Sequence, residues 1–313
     1  MKLTIHFFLI SLIAFLFLSS CKKDDPTVFD PPIVTAGNAQ TIQLPVNSIT
    51  LAGSADSSKN KITGYLWSEV SGPNVPVIAS ESSTTTLVNG LISGVYVFQF
   101  MAININGLTG VNTVTITVTP SPIVTLNLQP ANNPTEVHIW GNVSGLDQST
   151  PISHEIGAME WTYNGASIGM RAALKFDLST IPSSATITSA KLSLYSNLNA
   201  LNGNHVSPNA GTDNGMLIQK ITTSWDAATV NWINQPSSTT ADQVAIPSTA
   251  LPSLDLIDVD VTTLVGDMVN NNSNYGFLIR LQDEVLYNSR IFCSSKYSDA
   301  TKYPKLVVEY QIK

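Results

Sequence analysis

Long cationic side chains recur in stretches of the sequence that alternate between apolar and polar residues. Lys175 lies in ALKFDLS, Lys191 in SAKLSLYS and Arg280 in GFLIRLQ. If these stretches are β-strands with their apolar residues in a core, each cation points away from it, because successive strand side chains point to opposite faces. Arginine also suits paired hydrogen bonds with a carboxylate. We therefore predict a surface that binds an acidic, uronate-type polysaccharide through Arg171, Lys175, Lys191, Arg280 and Arg290.

Aromatic side chains are the second set of candidates, because the apolar face of a sugar stacks on a flat ring. Trp161 and Tyr163 in EWTY lie on one side of a short extended segment that we expect near the surface. In SWDAATVNWINQP, Trp225 and Trp232 stand seven residues apart. A loop of this length holds its shape only if at least one ring is buried. We assign Trp225 to the core and keep Trp232 as a ligand candidate.

Ordinary solvated strand charges are the competing interpretation of the cations. From residue 120 onwards the sequence has ten basic and sixteen acidic residues, so a polyanion would need a local basic patch on an acidic body. The whole chain has 15 lysines and arginines against 22 aspartates and glutamates, and no basic run matches a phosphate backbone. We expect no nucleic-acid partner.

The sequence carries no motif that is typical of an enzyme. P-loops and H-E-x-x-H zinc helices are missing, and the G-x-S-x-G match GASIG at 165–169 lies far from the one helix that we predict, so it lacks the strand–turn–helix context of a nucleophile elbow. SHEIGAMEW brings His154, Glu155 and Glu160 together in a stretch that we expect to be a loop. We predict a protein without catalytic activity that requires no cofactor. A lyase or hydrolase that uses His154 and Glu160 is the weaker alternative, and structural calcium stays open because no EF-hand-like run is present.

The elements that must position these side chains are predicted to be almost all β-strands. TVTITVT and GVYVFQFMA alternate with a period of two, and a charged fraction of only 12% is typical of secreted β-sheet proteins. The P-S-P run at 120–122 marks a boundary, because prolines cannot donate to a strand ladder and they stiffen a connection. We predict two folded domains, residues 31–119 and 120–313.

The second predicted domain has the features of a jelly-roll β-sandwich, because it combines many strands with long loops over about 190 residues. One helix interrupts it: in DVTTLVGDMVNN the apolar residues recur at intervals of three and four, with Asp260 or Thr262 as the N-terminal cap. Cys293, the one cysteine of the two predicted domains, is expected to be a small buried residue.

The first residues have the composition of an export signal. MKLTIHFFLISLIAFLFLSSC has one early lysine, an apolar run and small residues directly before Cys21, and its end resembles the lipobox of bacterial lipoproteins. The resemblance implies that a signal peptide, residues 1–20, is removed and that Cys21 is acylated, which anchors the protein to a membrane. KKDDP, within the tether 21–30, resembles the tag that Bacteroidota use to export lipoproteins to the outer face of the outer membrane. An ordinary secretory signal with a chance cysteine is the alternative.

Three blocks of the segment 31–119 occur in the order of a known domain family. They are VTAGNAQTIQLPVNSITLAGSADSS, ITGYLWSEVSGP and GVYVFQFMAININGLTG, and they resemble a polycystic-kidney-disease (PKD) type immunoglobulin-like domain. The resemblance implies a β-sandwich with Trp67 in its core, which acts as a spacer or interaction module. Asn104 and Asn106 stand where the family often has an acid, so we expect no calcium role there.

Four blocks after residue 120 also follow the order of a family. They are MRAALKFDLSTIPSSATITSAKLSLYSN, ITTSWDAATVNWINQPS, LIDVDVTTLVGDMVNNNSNYGFLIRL and IFCSSKYSDATKYPKLVVEY. They are similar to the DNRLRE domain family, relatives of which are classed as carbohydrate-binding modules with affinity for alginate, although the string DNRLRE itself is absent. The resemblance implies a jelly roll and a polysaccharide partner. Because the family decorates lyases, adhesins and wall-associated proteins alike, it implies the fold more strongly than the function.

These patterns together predict an all-β, surface-exposed outer-membrane lipoprotein. Its N-terminal immunoglobulin-like (PKD-type) β-sandwich is a spacer, and its jelly-roll β-sandwich binds polysaccharide without catalysis. The alternative is an adhesion or scaffold protein whose partner is another surface protein.

Overall fold

The computed structural model describes residues 29–57, 60–130, 136–142, 144–145, 147, 150–151 and 154–312. The predicted signal peptide, Cys21 and most of the predicted tether lie outside these residues, so the lipid anchor stays a prediction. Within the described ranges, no α-helix is both long enough and apolar enough to cross a membrane.

The chain divides into two compact units. The second unit contains the described residues from Thr117 onwards together with Thr41–Asn47 and Leu91–Gly94, and the other described residues up to Ile116 form the first. One strand ends at Thr119 and the next begins at Val124, on either side of the proline-rich link. The domain bounds 31–119 and 120–313 stay predictions.

Nine strands of the described residues precede the link. They are β1 (Ile33–Thr35), β2 (Gln40–Gln43), β3 (Ser48–Ala52), β4 (Ser54–Asp56), β5 (Ile62–Ser71), β6 (Val77–Ile78), β7 (Thr85–Asn89), β8 (Gly94–Asn104) and β9 (Thr109–Thr119). They form one sheet in the order β2-β9-β8-β5, a second in the order β3-β7-β6, and the pair β1-β4. The two sheets make an immunoglobulin-like sandwich.

The core of this sandwich follows the alternation of the sequence. In β8 the residues Phe98 and Phe100 are fully buried, and in β9 so is Ile116. Trp67 of β5 is also fully buried, with its ring centroid 4.7 Å from that of Phe100. The predicted core position of Trp67 is confirmed.

Thirteen further strands and one α-helix follow in the described chain. They are β10 (Val124–Leu128), β11 (Glu136–Gly141), β12 (Thr150–Pro151), β13 (Glu155–Tyr163), β14 (Ala166–Leu174), β15 (Thr186–Leu194), β16 (Asn209–Ala210), β17 (Met216–Ile221), β18 (Ser238–Ile246), β19 (Leu256–Asp260), α1 (Thr262–Asn270), β20 (Phe277–Leu281), β21 (Asn288–Cys293) and β22 (Lys305–Gln311), with a 3₁₀ turn at Ala300–Lys302. The smaller sheet has the order β10-β22-β15-β19. The larger has the order β16-β21-β13-β14-β20-β17-β18, and β11 pairs with both β14 and β12.

A single apolar core joins the inner faces of these two sheets. Leu192 of β15 and Val308 of β22 belong to the smaller sheet, and Leu174 of β14 and Ile279 of β20 belong to the larger; all four are fully buried in one cluster. Burial of apolar surface at this density is the main stabilising contribution to such a sandwich. The predicted all-β fold, a PKD-type sandwich followed by a jelly-roll-type sandwich, is confirmed.

The predicted helix is present, but its first turn differs from the expectation. α1 packs its apolar residues, such as Leu264 and Met268, into the same core. The cap position is Val261, and no side chain caps the helix there. Asp260 instead accepts a hydrogen bond from the Thr262 amide at 3.0 Å, while the Thr262 hydroxyl accepts one from the Ala190 amide. Thr262 is therefore recruited by the neighbouring strand β15.

Cys293 is expected to be chemically inert in the native protein. Its side chain is 1% exposed and its thiol donates to the Ser196 carbonyl at 3.7 Å. Burial raises the pKa of the Cys293 thiol to about 12, so almost none of the reactive thiolate forms at neutral pH. Iodoacetamide at pH 8 should leave Cys293 unmodified in native protein and alkylate it in urea, as read by peptide mass mapping. Rapid native alkylation would contradict this burial.

Candidate functional site

The outer face of the larger sheet is partly covered by the segment between β17 and β18, residues 222–237, which we call the tryptophan loop. Trp225 packs against a buried cluster that includes Ala173 of β14 and Leu278 of β20. Its indole nitrogen donates to the Tyr275 carbonyl at 2.7 Å. The ring fixes the loop to the sheet, but it is only partly buried and packs at the edge of this cluster, whereas we assigned Trp225 to the core.

Trp232 lies at the far end of the tryptophan loop, above β14. The guanidinium carbon of Arg171 is 4.7 Å from the centre of its ring, which is the geometry of a cation–π contact. Gly169 leaves room for the edge of the ring, because a Cβ at that position would lie 2.6 Å from Cη2 of Trp232 and 2.9 Å from Oε2 of Glu160. A glycine within β14 therefore lets an aromatic ring and a carboxylate approach the same strand.

Arg171 is held by three groups at once. Its Nε and Nη2 donate to the two carboxylate oxygens of Glu284 at 2.7 and 2.8 Å, and its Nη1 donates to Gln235 Oε1 at 2.7 Å. Arg280 approaches the same carboxylate, with Nε 3.5 Å from Oε1 of Glu284. The paired hydrogen bonds that the sequence suggested for Arg171 are thus made within the protein.

Glu160 is the second carboxylate of this region. It accepts a hydrogen bond from the hydroxyl of Ser167 on the adjacent strand. The backbone carbonyl of Ser167 in turn accepts one from Nδ2 of Asn142 at 2.7 Å. Burial raises the pKa of Glu160, and the nearby charge of Glu284 acts in the same direction, while the Ser167 hydrogen bond and Arg171 oppose the rise. Glu160 and Glu284 therefore occupy contrasting environments, one partly desolvated and one ion-paired.

These groups surround an open depression of about 420 Å³, which we call the Trp232 depression. Its lining includes the side chains or backbone of Asn142, Ser144, Glu160, Ser167, Gly169, Trp232 and Glu284. It combines one aromatic ring with several hydrogen-bonding groups, which is the composition of a binding site for a polar ligand with an apolar face.

Trp161 and Tyr163 lie on the opposite face of β13 from Glu160, because side chains alternate along the strand. Trp161 packs against a buried cluster around Met159, with its ring centroid 5.2 Å from that of Tyr287 in edge-on geometry. Tyr163 makes a similar contact with Trp140, at 5.5 Å. The structure does not bring these two aromatic candidates to the Trp232 depression.

The two lysine candidates lie elsewhere on the second unit. Lys175 lines a separate depression with Asp177, beyond the end of β14. Lys191 is on the smaller sheet, where its Nζ is 2.7 Å from Oδ2 of Asp260. The predicted set of cations therefore does not form one continuous surface.

Arg290 contradicts the prediction of an accessible cation. Its side chain is 0% exposed, and Nη1 donates to the Pro247 carbonyl at 3.3 Å. Its Nε and Nη2 have no hydrogen-bond partner among the described residues, and burial lowers the pKa of Arg290 to about 10. Every residue of β21 is buried, so this strand has no solvent face from which Arg290 could reach a ligand.

The acidic stretch that we expected to be a loop is strand β13, and that expectation was wrong. Glu155 is fully buried and accepts hydrogen bonds from Asn197 Nδ2, from the Leu201 amide, and from both the amide and Nδ2 of Asn202, at 2.7–2.9 Å. It holds the loop after β15 in place. His154 is exposed at the start of the strand, whereas Glu160 lies on the face that carries the Trp232 depression.

Sequence reasoning missed Glu284, Gln235 and Gly169. Glu284 lies 113 residues from Arg171 in the chain, in a turn after β20 with no pattern of its own. Gly169 gave the one usable signal, since an isolated glycine inside a strand often marks a place where another group approaches the backbone.

Among the residues that the structure describes, no three histidine, cysteine, aspartate or glutamate side chains are grouped closely enough to hold a metal ion.

Two family models match the chain. Residues 36–118 match the model described as K319L-like, PKD domain, and residues 158–310 match carbohydrate-binding module family 96. The chain carries a PKD domain followed by a carbohydrate-binding-module match. That match includes Glu160, Ser167, Gly169, Trp232 and Glu284 of the Trp232 depression, and it supports carbohydrate binding.

Similarity to curated proteins centres on the mammalian KIAA0319 group. The mouse dyslexia-associated protein KIAA0319-like protein is 29% identical over 160 residues, which cover 47% of this chain and 14% of that protein. The human dyslexia-associated protein KIAA0319 is 33% identical over 108 residues, 32% of this chain and 10% of that protein. The chain thus spans a small part of the length of these relatives. They are mammalian, so the bacterial origin inferred from the lipobox stays a prediction.

Solved structures give weaker likenesses. The PKD domain of human KIAA0319 covers 33% of this chain and 94% of its own, with 24% identity and a TM-score of 0.27. A structure from work on promiscuous specificity in carbohydrate-binding modules of the β-sandwich superfamily covers 91% and 94%, with 11% identity and a TM-score of 0.24. At these TM-scores neither structure bears on the function.

Proposed function

We propose that this protein is a non-catalytic, surface-exposed lipoprotein that binds polysaccharide at the Trp232 depression, with the PKD domain as a spacer. The single observation that carries the binding site is the juxtaposition of Trp232, Glu160 and Glu284 on one face of the larger sheet, inside the region matched by carbohydrate-binding module family 96. A sugar needs one apolar ring to stack on and nearby groups that accept bonds from its hydroxyls. The depression offers both.

The anchor and location belong to the same proposal. The string LSSC, which ends at Cys21, and KKDDP after it support acylation of Cys21 and export to the outer face of an outer membrane. A diacylglycerol and an N-acyl chain on Cys21 would together bind a membrane far more firmly than one acyl chain. Metabolic labelling with a palmitate analogue, with Cys21→Ala as the unlabelled control, tests this part separately.

A polysaccharide hydrolase is the weaker candidate, and one observation favours it. Glu160 has a raised pKa and Glu284 is ion-paired with Arg171, and two carboxylates in contrasting environments are what acid-assisted glycoside cleavage requires. Release of reducing ends by the purified protein, lost in Glu160→Gln, would establish hydrolysis. If the protein releases no reducing ends from any glycan that it binds, it binds polysaccharide without hydrolysing it.

An adhesion or scaffold role with a protein partner is the other alternative. A stoichiometric surface protein that is retained by this chain after glycosidase treatment would favour it. Loss of every partner on glycosidase treatment would favour glycan binding.

Trp232→Ala is expected to weaken retention by a bound polysaccharide about tenfold or more, because a stacked ring contributes strongly to a small interface. Affinity gel electrophoresis of the full chain would measure this. Trp161→Ala is the matched control. Like Trp232→Ala it removes a partly buried tryptophan, but Trp161 lies on β13 and does not line the depression. Thermal unfolding should show both variants folded. Retention lost in Trp161→Ala and kept in Trp232→Ala would place the site on the other face.

A further inference from the structure

We infer that the Trp232 depression selects uncharged saccharides over polyuronates, an inference that rests on the proposed function. The two cations nearest the depression are already bound within the protein, while carboxylates line it. The ligand class therefore differs from the acidic polymer that the sequence alone suggested.

Every donor nitrogen of Arg171 is already hydrogen-bonded within the protein. All three of its donor nitrogens carry a protein acceptor within 2.8 Å, two on Glu284 and one on Gln235, and its flat face covers the Trp232 ring. Its side chain is 18% exposed. A uronate carboxylate would have to displace Glu284 from a paired hydrogen bond of the same chemistry, so it would gain little in exchange.

No other cation of the described residues lines the depression. Arg280 shares Glu284 and donates to the Leu281 carbonyl. Lys191 and Lys220 are ion-paired with Asp260 and Asp267. Arg290 is fully buried. Thus the described residues supply no unpaired cation to the lining of the depression.

The acidic groups point to the same preference. The carboxylates of Glu160 and Glu284 both line the depression. The charge of Glu284 is neutralised by Arg171, but Glu160 has no ion pair with the described residues, so a carboxylate on a ligand would meet its like charge in a partly desolvated place, where screening by salt is weak. A neutral sugar has hydroxyls that donate to these oxygens, and its apolar face can lie against Trp232. The carboxylate acceptors of the lining therefore match an uncharged, hydroxyl-rich ligand.

Affinity gel electrophoresis of the full chain tests this selectivity. The neutral probes are mannan, xylan and β-1,3-glucan, and the acidic probes are alginate and polygalacturonate, at equal mass and at 0.05 and 0.5 M NaCl. The expected result is retention by at least one neutral probe, unchanged by salt and at least tenfold stronger than retention by either uronate. Stronger retention by a uronate that is lost in Trp232→Ala would overturn the selectivity and keep the proposed site. Retention by none of the probes would overturn the proposed function itself.

The substitution Glu284→Gln tests the same charge selectivity in a second way. It removes the charge that holds Arg171 and Arg280 while keeping one acceptor oxygen, and it should raise retention by alginate at 0.05 M NaCl about fivefold or more. Asp260→Asn is the matched control, because it releases Lys191 on the other sheet with the same change in charge. Glu160→Gln leaves the arginine pair intact and should also raise retention, which keeps the test valid if Glu284→Gln unfolds. Unchanged or reduced alginate retention in folded Glu284→Gln and Glu160→Gln would overturn the inference.

Discussion

Glu155→Ala is expected to destabilise the second unit by about 3–5 kcal/mol, the cost of breaking a buried charged network. Each carboxylate oxygen accepts two hydrogen bonds: Oε1 from the amide and Nδ2 of Asn202, and Oε2 from Asn197 Nδ2 and the Leu201 amide. Removal leaves four donors without this acceptor in a site that is fully buried. Urea denaturation followed by tryptophan fluorescence would measure the change.

Glu155→Gln should recover little of that loss, because an amide must turn its NH₂ group towards two donors whichever way it is flipped. Glu309→Ala on the outer face of β22 is the control: its side chain is half-buried and makes no hydrogen bond or ion pair with the described residues. Its substitution should change the free energy of unfolding by no more than about 0.5 kcal/mol. A loss below about 1 kcal/mol for Glu155→Ala would mean that the loop at 197–202 reorganises and satisfies its donors elsewhere.

The alternation of the sequence predicted most of the core but not what covers a sheet. It placed Phe98, Ile116, Leu174 and Ile279 correctly, because each strand there has one face in a core. It says nothing of Arg290, which lies in a strand whose residues are all buried, and its guanidinium donates to the Pro247 carbonyl after β18. A period of two cannot distinguish a covered outer face from a solvated one.

The residue types of the candidate site could be predicted from the sequence, but the contacts between them could not. Trp232 and Arg171 were found because their chemistry is visible in the residue type. Their actual relationship, a guanidinium lying on the ring and clamped by Glu284, depends on a pairing across 113 residues of chain. Such a contact is decided by which strands become neighbours, and no local pattern records it. Arg171, which the sequence alone suggests as a free cation for an acidic ligand, is neutralised by Glu284 in the fold, and the site therefore favours an uncharged ligand.

Acidification from pH 7 to pH 4 is expected to destabilise the second unit, largely through His138. Its ring lies in β11, is 3% exposed, and has Nε2 without a partner among the described residues. Burial lowers the pKa of His138 to about 4, opposed by a hydrogen bond to the backbone of Glu155. A folded pKa below the ordinary 6.5 means that the unfolded chain binds the proton first. Stability is therefore fully present above about pH 6.5 and lost by about 3 kcal/mol as the pH falls to 4.

Glu136, two residues away on the same face of β11, acts in the opposite direction. It is 1% exposed, one oxygen accepts from the Ser295 amide at 3.0 Å and from its hydroxyl, and burial raises its pKa. Its protonation stabilises the folded state as the pH falls, so it offsets part of the loss. His138→Gln should flatten the pH dependence of the free energy of unfolding, Glu136→Gln should steepen it, and His154→Gln at an exposed position should leave it unchanged. If His138→Gln keeps the wild-type slope between pH 6.5 and 4, His138 is not the group that limits acid stability, because only a proton excluded from the folded state produces that slope.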